Sequence, residues 1–262
     1  MKKLFALLLC MLMAVTAFSL TGCSKVVDTG GIYRQSDNVT VQSKLENVDF
    51  RTFFEGNFNM YEQAVIESKR GVEYYKSTGT LTGLMDIATF SVKGHLNTST
   101  KSKGMVDMVD PAEQATSNVN TDFIITDGNL YFTLDGQKVY MSLMSVGAEI
   151  FNKLINSVET SIDKIANIGS SDALYYLHEK GNTLKVKIVV ESEQNSAVSK
   201  YYYYTELYIV CVDNSLTGIA MNVRSESSDS DYSAKSSVEI QLGSTTDTLM
   251  LPMLSDYTEY LE

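Results

Sequence analysis

From Asp86 onward the chain alternates apolar and polar side chains with a period of two, which predicts a run of strands. Ala88, Phe90, Val92 and Leu96 share one face, while Thr89, Ser91, Lys93 and His95 take the other. Met105 and Val109 alternate around Asp107, and Val119, Phe123 and Ile125 follow. Asp127-Gly128-Asn129 then turns the chain into Leu130, Phe132 and Leu134, and Asp135-Gly136-Gln137 turns it again into Val139, Met141 and Leu143. Asp-Gly between alternating runs is a strong hairpin signal, because a two-residue type I′ turn needs positive φ at both central residues. The expectation is an antiparallel meander. After Lys180-Gly181-Asn182 a second one begins: Leu184, Val186, Ile188 and Val190 alternate against Lys185, Lys187 and Glu191. Tyr203, Leu207, Ile209 and Cys211 form the core side of Tyr201 to Asp213, Ile219, Met221 and Val223 return, and Ala234, Val238, Ile240 and Leu242 close the set. Ser225 to Ser233 reads as a solvated loop or hairpin tip.

Two stretches have a helical period instead. Over Asn57 to about Lys76, Tyr61, Ala64, Val65, Val72 and Tyr75 fall near helical spacing, with Glu62, Glu67, Lys69 and Arg70 elsewhere; Gly71 counts against it by roughly 1 kcal/mol relative to alanine. Over Ser145 to Ile168, Val146, Ile150, Leu154, Val158, Ile162 and Ala166 recur at every fourth position, with Ser145 as N-cap and Gly169 at C′. Ser24 to about Glu55 begins as a polar linker. It then carries Val39, Val41, Val48, Phe50, Phe53 and Phe54, either a first strand or a segment lying against the domain. A short helix or tail, Leu254 to Leu261, ends the chain.

These elements predict an α+β fold: a curved antiparallel sheet, a half-barrel of about eight strands, with two main helices against its concave face. At ~4.8 Å per strand such a sheet is about 38 Å wide, and a helix is only ~10–12 Å across. Two helices cover little more than half of it. Curling, the N-terminal segment or a ligand must cover the rest, since an exposed apolar area of that size is a liability or a binding surface.

The N-terminus adds an address. Lys2 and Lys3 precede an uncharged apolar run, Leu4 to Leu20, that closes on Leu20-Thr21-Gly22-Cys23. A basic start, an apolar stretch and small residues make a secretory signal, and its end resembles the lipobox of bacterial lipoproteins. That resemblance implies cleavage before Cys23 and lipidation (palmitate-type chains) of Cys23. Residues 1–22 would be signal peptide, 23–56 lipidated N-terminus and tether, and 57–262 the domain. The protein would then be extracytoplasmic and lipid-anchored to the bacterial cell membrane. Two or more chains on one cysteine hold a domain that a single chain anchors only marginally. Of three cysteines, Cys10 would leave with the signal and Cys23 would be blocked, so Cys211 has no intramolecular disulfide partner.

A net charge of −11, more negative still without Lys2 and Lys3, excludes nucleic acid as a partner. No basic patch interleaved with aromatics offsets it. The order of elements — lipobox, early helix, meander with Asp-Gly hairpins, mid-chain helix, second meander — is similar to the LolA/LppX-like lipoprotein-carrier superfamily over roughly Asn57 to Leu254. The resemblance implies a half-barrel around an apolar cavity that holds an apolar or amphipathic, lipid-like ligand. Ile150, Leu154, Val158, Phe90, Phe132 and Tyr203 are the candidates to face it. The alternative is an envelope interaction module with a filled core, an acidic outer surface and a protein partner that the sequence does not identify.

Enzymatic chemistry has little to rest on. His-Glu-x-x-His, Gly-x-Ser-x-Gly, a phosphate loop and a dinucleotide fingerprint are all missing from the sequence. No enzyme activity, cofactor or metal is therefore expected. Asp229 and Asp231 lack the glycine and distal glutamate of an EF-hand loop. His95 and His178 read as surface or structural residues, and Cys211, with Leu207 and Ile209 on its face, as a buried inert thiol. Tyr201 to Tyr204 must divide two rings to each face of a strand. They serve either cross-strand packing or, with one pair, a ligand.

Overall fold

The computed structural model describes residues 26–86, 88–89, 91–103, 114–134, 136–142, 173–196 and 198–260. Of these, 71% lie in strands and 7% in helices. The expected half-barrel of about eight strands is therefore replaced by one large open curved sheet of 13 strands. In chain order its elements are β1 (Arg34–Ser36), α1 (Asn38–Leu45), α2 (Arg51–Phe54), β2 (Asn57–Arg70), β3 (Glu73–Asp86), β4 (Ser91–Lys103), β5 (Gln114–Thr126), β6 (Asn129–Leu134) and β7 (Gln137–Ser142). The second half brings β8 (Ala173–Lys180), β9 (Thr183–Asn195), β10 (Ser199–Val212), β11 (Ser215–Asp229), β12 (Tyr232–Thr245), a 3₁₀ turn (Leu254–Asp256) and β13 (Thr258–Glu259).

Across the sheet the order is β1-β8-β9-β10-β11-β12-β2-β3-β4-β5-β6-β7-β13. Each meander is a series of neighbouring antiparallel strands, and the seam joins the last strand of the second to the first of the first. β12 pairs with β2 from Leu242↔Met60 to Tyr232↔Arg70 without a register shift. Among the described strands, β13 pairs in parallel, against β7, and a single parallel bridge joins Asp49 to Ser215.

The expected helix over Asn57 to Lys76 is the main local correction. Its residues are β2, a turn and the start of β3, and Gly71 (φ 57°) supplies the left-handed turn residue rather than a weak spot in a helix. Period two is hidden there because β2 is packed on both faces: Phe58 and Ala64 are buried on one, Tyr61 and Gln63 on the other. Ser77 to Thr80, just beyond the expected helix, lies within β3, and Ala173 to His178 is strand β8. Ser225 to Asp229 is likewise strand, so the hairpin tip is only Ser230-Asp231. The hairpin turns read from sequence at Asp127-Gly128 and Lys180-Gly181 are present, with φ of 51° and 72° at Asp127 and Gly128 and 61° at Gly181, and Asp213 and Asn214 (51° and 59°) make a further one between β10 and β11.

The stretch before β2 packs on the sheet. Asp37 caps α1 through the Thr40 amide (2.8 Å), and α1 and α2 send Val41, Leu45 and Phe53 into the core. Phe53 stacks on Phe58 with ring centroids 4.4 Å apart. One continuous cluster links them to Val92, Phe123, Phe132 and Val139 on one flank and to Tyr175, Val186, Ile209 and Cys211 on the other. That both flanks meet on one face makes it the concave one. The helix expected over Ser145 to Ile168, with Ile150, Leu154 and Val158, lies outside the described residues, as do Phe90, the Met105 to Val109 alternation and the signal segment with Cys23.

Candidate functional site

Strand register resolves the concave face into rows running across the sheet. Nearest the helices, Val186, Ile209, Ile219, Leu242, Met60, Gly83, Gly94, Phe123, Phe132 and Val139 stand side by side from β9 to β7. The next row on the same face reads Ile188, Leu207, Met221, Ile240, Glu62, Leu81 and Leu96. One step further come Val190, Thr205, Val223, Val238, Ala64, Gly79 and Thr98, then Ser192, Tyr203, Ser225, Ser236, Ile66, Ser77 and Thr100. The face thus grades from aliphatic and aromatic beside α1 and α2 to small and hydroxylic at the far end. Its outer hydroxyls pair across strands, Ser77 with Thr100 at 3.1 Å and Ser225 with Ser236 at 2.8 Å.

Glu62 interrupts this pattern. Its cross-strand neighbours are Leu81 and Ile240, and its neighbours along β2 on the same face are Met60 and Ala64. The residue as a whole is partly buried, but Oε1 is fully buried and has no hydrogen-bond partner. Burial raises the carboxyl to about 8, because the charged form loses its hydration and gains no counter-ion. Thr205 Oγ1, one row away, is also buried without a partner.

The convex face is built differently. By strand alternation, every Lys, Arg and His on β2 to β12, apart from Arg70 at a hairpin tip, points to this side. Lys187 and Glu206 form an ion pair of 2.5 Å with side chains 24% and 14% exposed. Asn222 donates to the same carboxylate at 3.3 Å, and Lys187 lies over the rings of Tyr176 and Tyr208 at 5.8 and 5.5 Å. Burial opposes the charge on Glu206, but its bonds from Lys187, Tyr204 and Asn222 outweigh it and hold the carboxyl below its ordinary value. Burial also raises the Tyr33 hydroxyl to about 12, reinforced by Tyr208.

Residues 26–33 run over this face as a strap. Val27 is 3% exposed and its amide donates to Gln241 Oε1 at 3.1 Å. Lys185 Nζ donates to Asp28 and to the Gly30 carbonyl, both at 2.7 Å. Glycine makes the seat: a Cβ on Gly218 would stand 2.8 Å from Val27 Cγ1, and one on Gly243 2.7 Å from the Val26 carbonyl.

Of the residues singled out from sequence, Phe132 and Tyr203 lie on the concave side but are not brought together. Phe132 is 1% exposed inside the core near the β7 edge. Tyr203 stands in the hydroxyl row of β10, paired with Ser192 and Ser225. The four tyrosines divide by strand alternation: Tyr201 and Tyr203 face in, Tyr202 and Tyr204 face out. Cys211 is 1% exposed, and burial pushes its thiol up to about 12. His95 meets Asp122 on the outer face at 2.8 Å, and His178 meets the Ile32 carbonyl at 2.9 Å. Asp229 Oδ1 accepts from the Asp231 and Tyr232 amides (2.9 and 2.8 Å) and so closes its own hairpin. Among the described residues no group of three His, Cys, Asp or Glu side chains is placed to hold a metal. Glu62 was missed because it read as the polar face of a helix. The run Phe58-x-Met60-x-Glu62-x-Ala64-x-Ile66, closed by a glycine turn, is the signal that marks it as the polar member of an apolar strand face.

No family model and no curated protein matches the sequence. Among solved structures, the chain is similar to LprF from Mycobacterium bovis, at 11% identity and a TM-score of 0.35, over 82% of this chain and 96% of that one. A likeness of that size assigns neither ligand nor role.

Proposed function

We propose that the chain is an extracytoplasmic lipoprotein, held at the bacterial cell membrane by lipid on Cys23, whose concave face takes an apolar or amphipathic, lipid-like ligand. It is a binding module and not an enzyme. The observation that carries the reading is the partition of charge: a sheet of 13 strands keeps its basic side chains, Arg70 at a hairpin tip apart, on the convex side and lines the middle of the other with aliphatic, aromatic, hydroxyl and glycine positions. A surface of that extent, free of counter-ions, suits a molecule with long hydrocarbon parts.

The strap supports the anchored half of the reading. Val26 follows Cys23 by three residues, and three residues span at most ~10 Å. Lipid on Cys23 would therefore hold the helix-bearing end of the sheet close to the bilayer and point the hydroxyl end away from it.

The described contacts all lie within residues 26–260, so a chain starting at Ser24 retains each of them. That chain should raise the fluorescence of the neutral apolar probe N-phenyl-1-naphthylamine saturably, and organic extraction of freshly purified protein should release a lipid identifiable by mass spectrometry. Packing of the helix-side row favours a second reading, an interaction module with a filled core. Neither probe binding nor extracted lipid would decide for that one.

A further inference from the structure

Among the described residues, Glu62 is the one acidic or basic group in the middle of the concave face. On β11, β12, β2, β3 and β4, the inward positions around it are Ile, Met, Val, Leu, Phe, Ala, Gly, Ser or Thr, with Arg70, Glu73, Tyr75, Asp229 and Tyr232 confined to the hairpin tips. It has four apolar neighbours and a buried oxygen with no partner. Buried polar atoms are paired in the great majority of cases, and an orphaned one asks for an explanation. Packing supplies none: leucine or isoleucine in its place would continue the row Met221, Ile240, Leu81 and Leu96 without interruption. An anionic ligand group would leave its water there without a cation to meet it, since no basic side chain of β11, β12, β3 or β4 points inward and Arg70 of β2 lies at the hairpin tip.

We infer that Glu62 is the polar contact of the ligand site, selecting an amphiphile that brings a hydrogen-bond donor, an amine or a hydroxyl, to its carboxyl and rejecting one with an anionic head. This rests on the ligand-binding reading above and names the chemistry it prefers. Against a neutral hydroxyl, the carboxyl donates and accepts as the protonated acid. Against an ammonium group it ionises and forms a charge-assisted bond, which is stronger in an apolar setting. Thr205, one row on and three strands away, offers a further unpartnered hydroxyl on the same face.

The test uses the chain from Ser24, N-phenyl-1-naphthylamine as reporter, and three unbranched competitors of twelve carbons in all: dodecylamine, dodecanol and dodecanoate. At neutral pH the alcohol should displace the probe at concentrations about tenfold lower than the carboxylate, the difference expected for one good hydrogen bond, and the amine at concentrations lower still. Glu62→Leu should keep probe binding and bring the three competitors within about twofold of one another. Glu62→Gln, which still donates and accepts, should keep the preference for the alcohol and lose the extra advantage of the amine. Resistance of Cys211 to alkylation reports that each variant is folded, and Glu62→Gln carries the test if Glu62→Leu does not fold. Dodecanoate competing as well as the other two in the wild type, or the same order persisting in both variants, overturns the role of Glu62 while leaving an apolar site in place. A chain that binds neither probe nor competitor overturns the ligand-binding reading itself.

Discussion

The concave and convex faces of this sheet are made by the same strands, residue by residue in alternation, yet they treat buried polar groups in opposite ways. On the convex face a buried charge has its partner: Lys187 meets Glu206 at 2.5 Å, and Asn222 and Tyr204 complete the carboxylate. On the concave face Glu62 Oε1 and Thr205 Oγ1 are buried with none. An unmade hydrogen bond costs its full desolvation, about 1–3 kcal/mol and more for a charge. The outer face therefore reads as architecture, with its polar groups matched inside the chain. The inner face carries unmatched groups that a stability-driven sequence would have replaced. The two faces also respond to pH from opposite ends.

The largest expected effect lies on the inner face. Glu62 has an ordinary value of 4.5 and is raised to about 8 in the fold. For a carboxyl with a raised value, the fold is unpenalised below the unfolded value and loses stability as pH rises toward the folded one. The loss should grow between pH 4.5 and about 8 and be complete above that, on the order of 3–5 kcal/mol at 1.36 kcal/mol per unit. Urea melts at pH 9 should find Glu62→Leu more stable than wild type by that order, with a difference of no more than about 1 kcal/mol at pH 5. Equal stability at both pH values would mean that the carboxyl is solvated and that the contrast between the faces is false.

The convex pair should fail in acid. Glu206 is held below its ordinary value, so its contribution is present above the unfolded value and lost as pH falls through the folded one. Removing one partner of a buried pair strands the other, at 3–5 kcal/mol when burial is full. With side chains 24% and 14% exposed, Lys187→Met should cost about 1–3 kcal/mol at pH 7. The double variant Lys187→Met, Glu206→Leu should recover most of that. A double variant as unstable as the single one would assign the loss to packing against Tyr176 and Tyr208 rather than to charge.

Much of this contrast was legible in the sequence, and the part that was not has a physical cause. The strands with one charged face announced themselves: Leu184, Val186 and Ile188 alternate with lysines, and Cys211 falls on the predicted core side beside Leu207 and Ile209. The Asp127-Gly128 turn was legible because aspartate tolerates positive φ and glycine has no Cβ to oppose it. β2 was not, since burial on both faces erases the alternation and Glu62 occupies an inward position. Tyr61, Ala64 and Val65 then fall at helical spacing by accident. Missing β2, β3 and β8 reduced the strand count and hid the seam between β12 and β2, on which the continuity of the sheet depends. Neither the strap nor the Lys187–Glu206 pair could be read from spacing: Asp28 and Lys185 are 157 residues apart, and only the register of the folded sheet brings them together.

A smaller effect should separate the strap from the sheet it lies on. Val27 is 3% exposed and seated over Gly218. Val27→Ala removes two methyl groups from that seat, about 1.5 kcal/mol by area burial. Because the strap is an outer layer, the loss should appear as local opening. Amide exchange should quicken at Val27, whose bond to Gln241 fixes the segment, while Ile209 and Cys211 on the inner side keep their protection. Uniform loss of protection through β10 would make the strap an integral part of the core.

The smallest effect expected is at Asp28, and its size is what makes it informative. The Asp28–Lys185 pair joins a carboxylate that is 81% exposed to an ammonium that is 6% exposed. Counted as a bridge across 157 positions of sequence it looks important. The physics of the two ends differs, however. The exposed carboxylate keeps its water and is screened by salt, so its net contribution is that of a surface pair, about 0–1 kcal/mol. The buried ammonium keeps a second acceptor, the Gly30 carbonyl at 2.7 Å, whatever stands at position 28. Asp28→Asn should therefore lower stability by less than about 0.5 kcal/mol, and the difference should vanish at high salt. Lys185→Met, by contrast, should free the strap, because Asp28 and the Gly30 carbonyl lose the same donor at once. Thermal melts of the two variants at low and high salt give the answer. An Asp28 variant as damaging as the Lys185 one would mean that charge, rather than the Val27 seat and the Gly30 carbonyl, holds the N-terminal segment to the convex face.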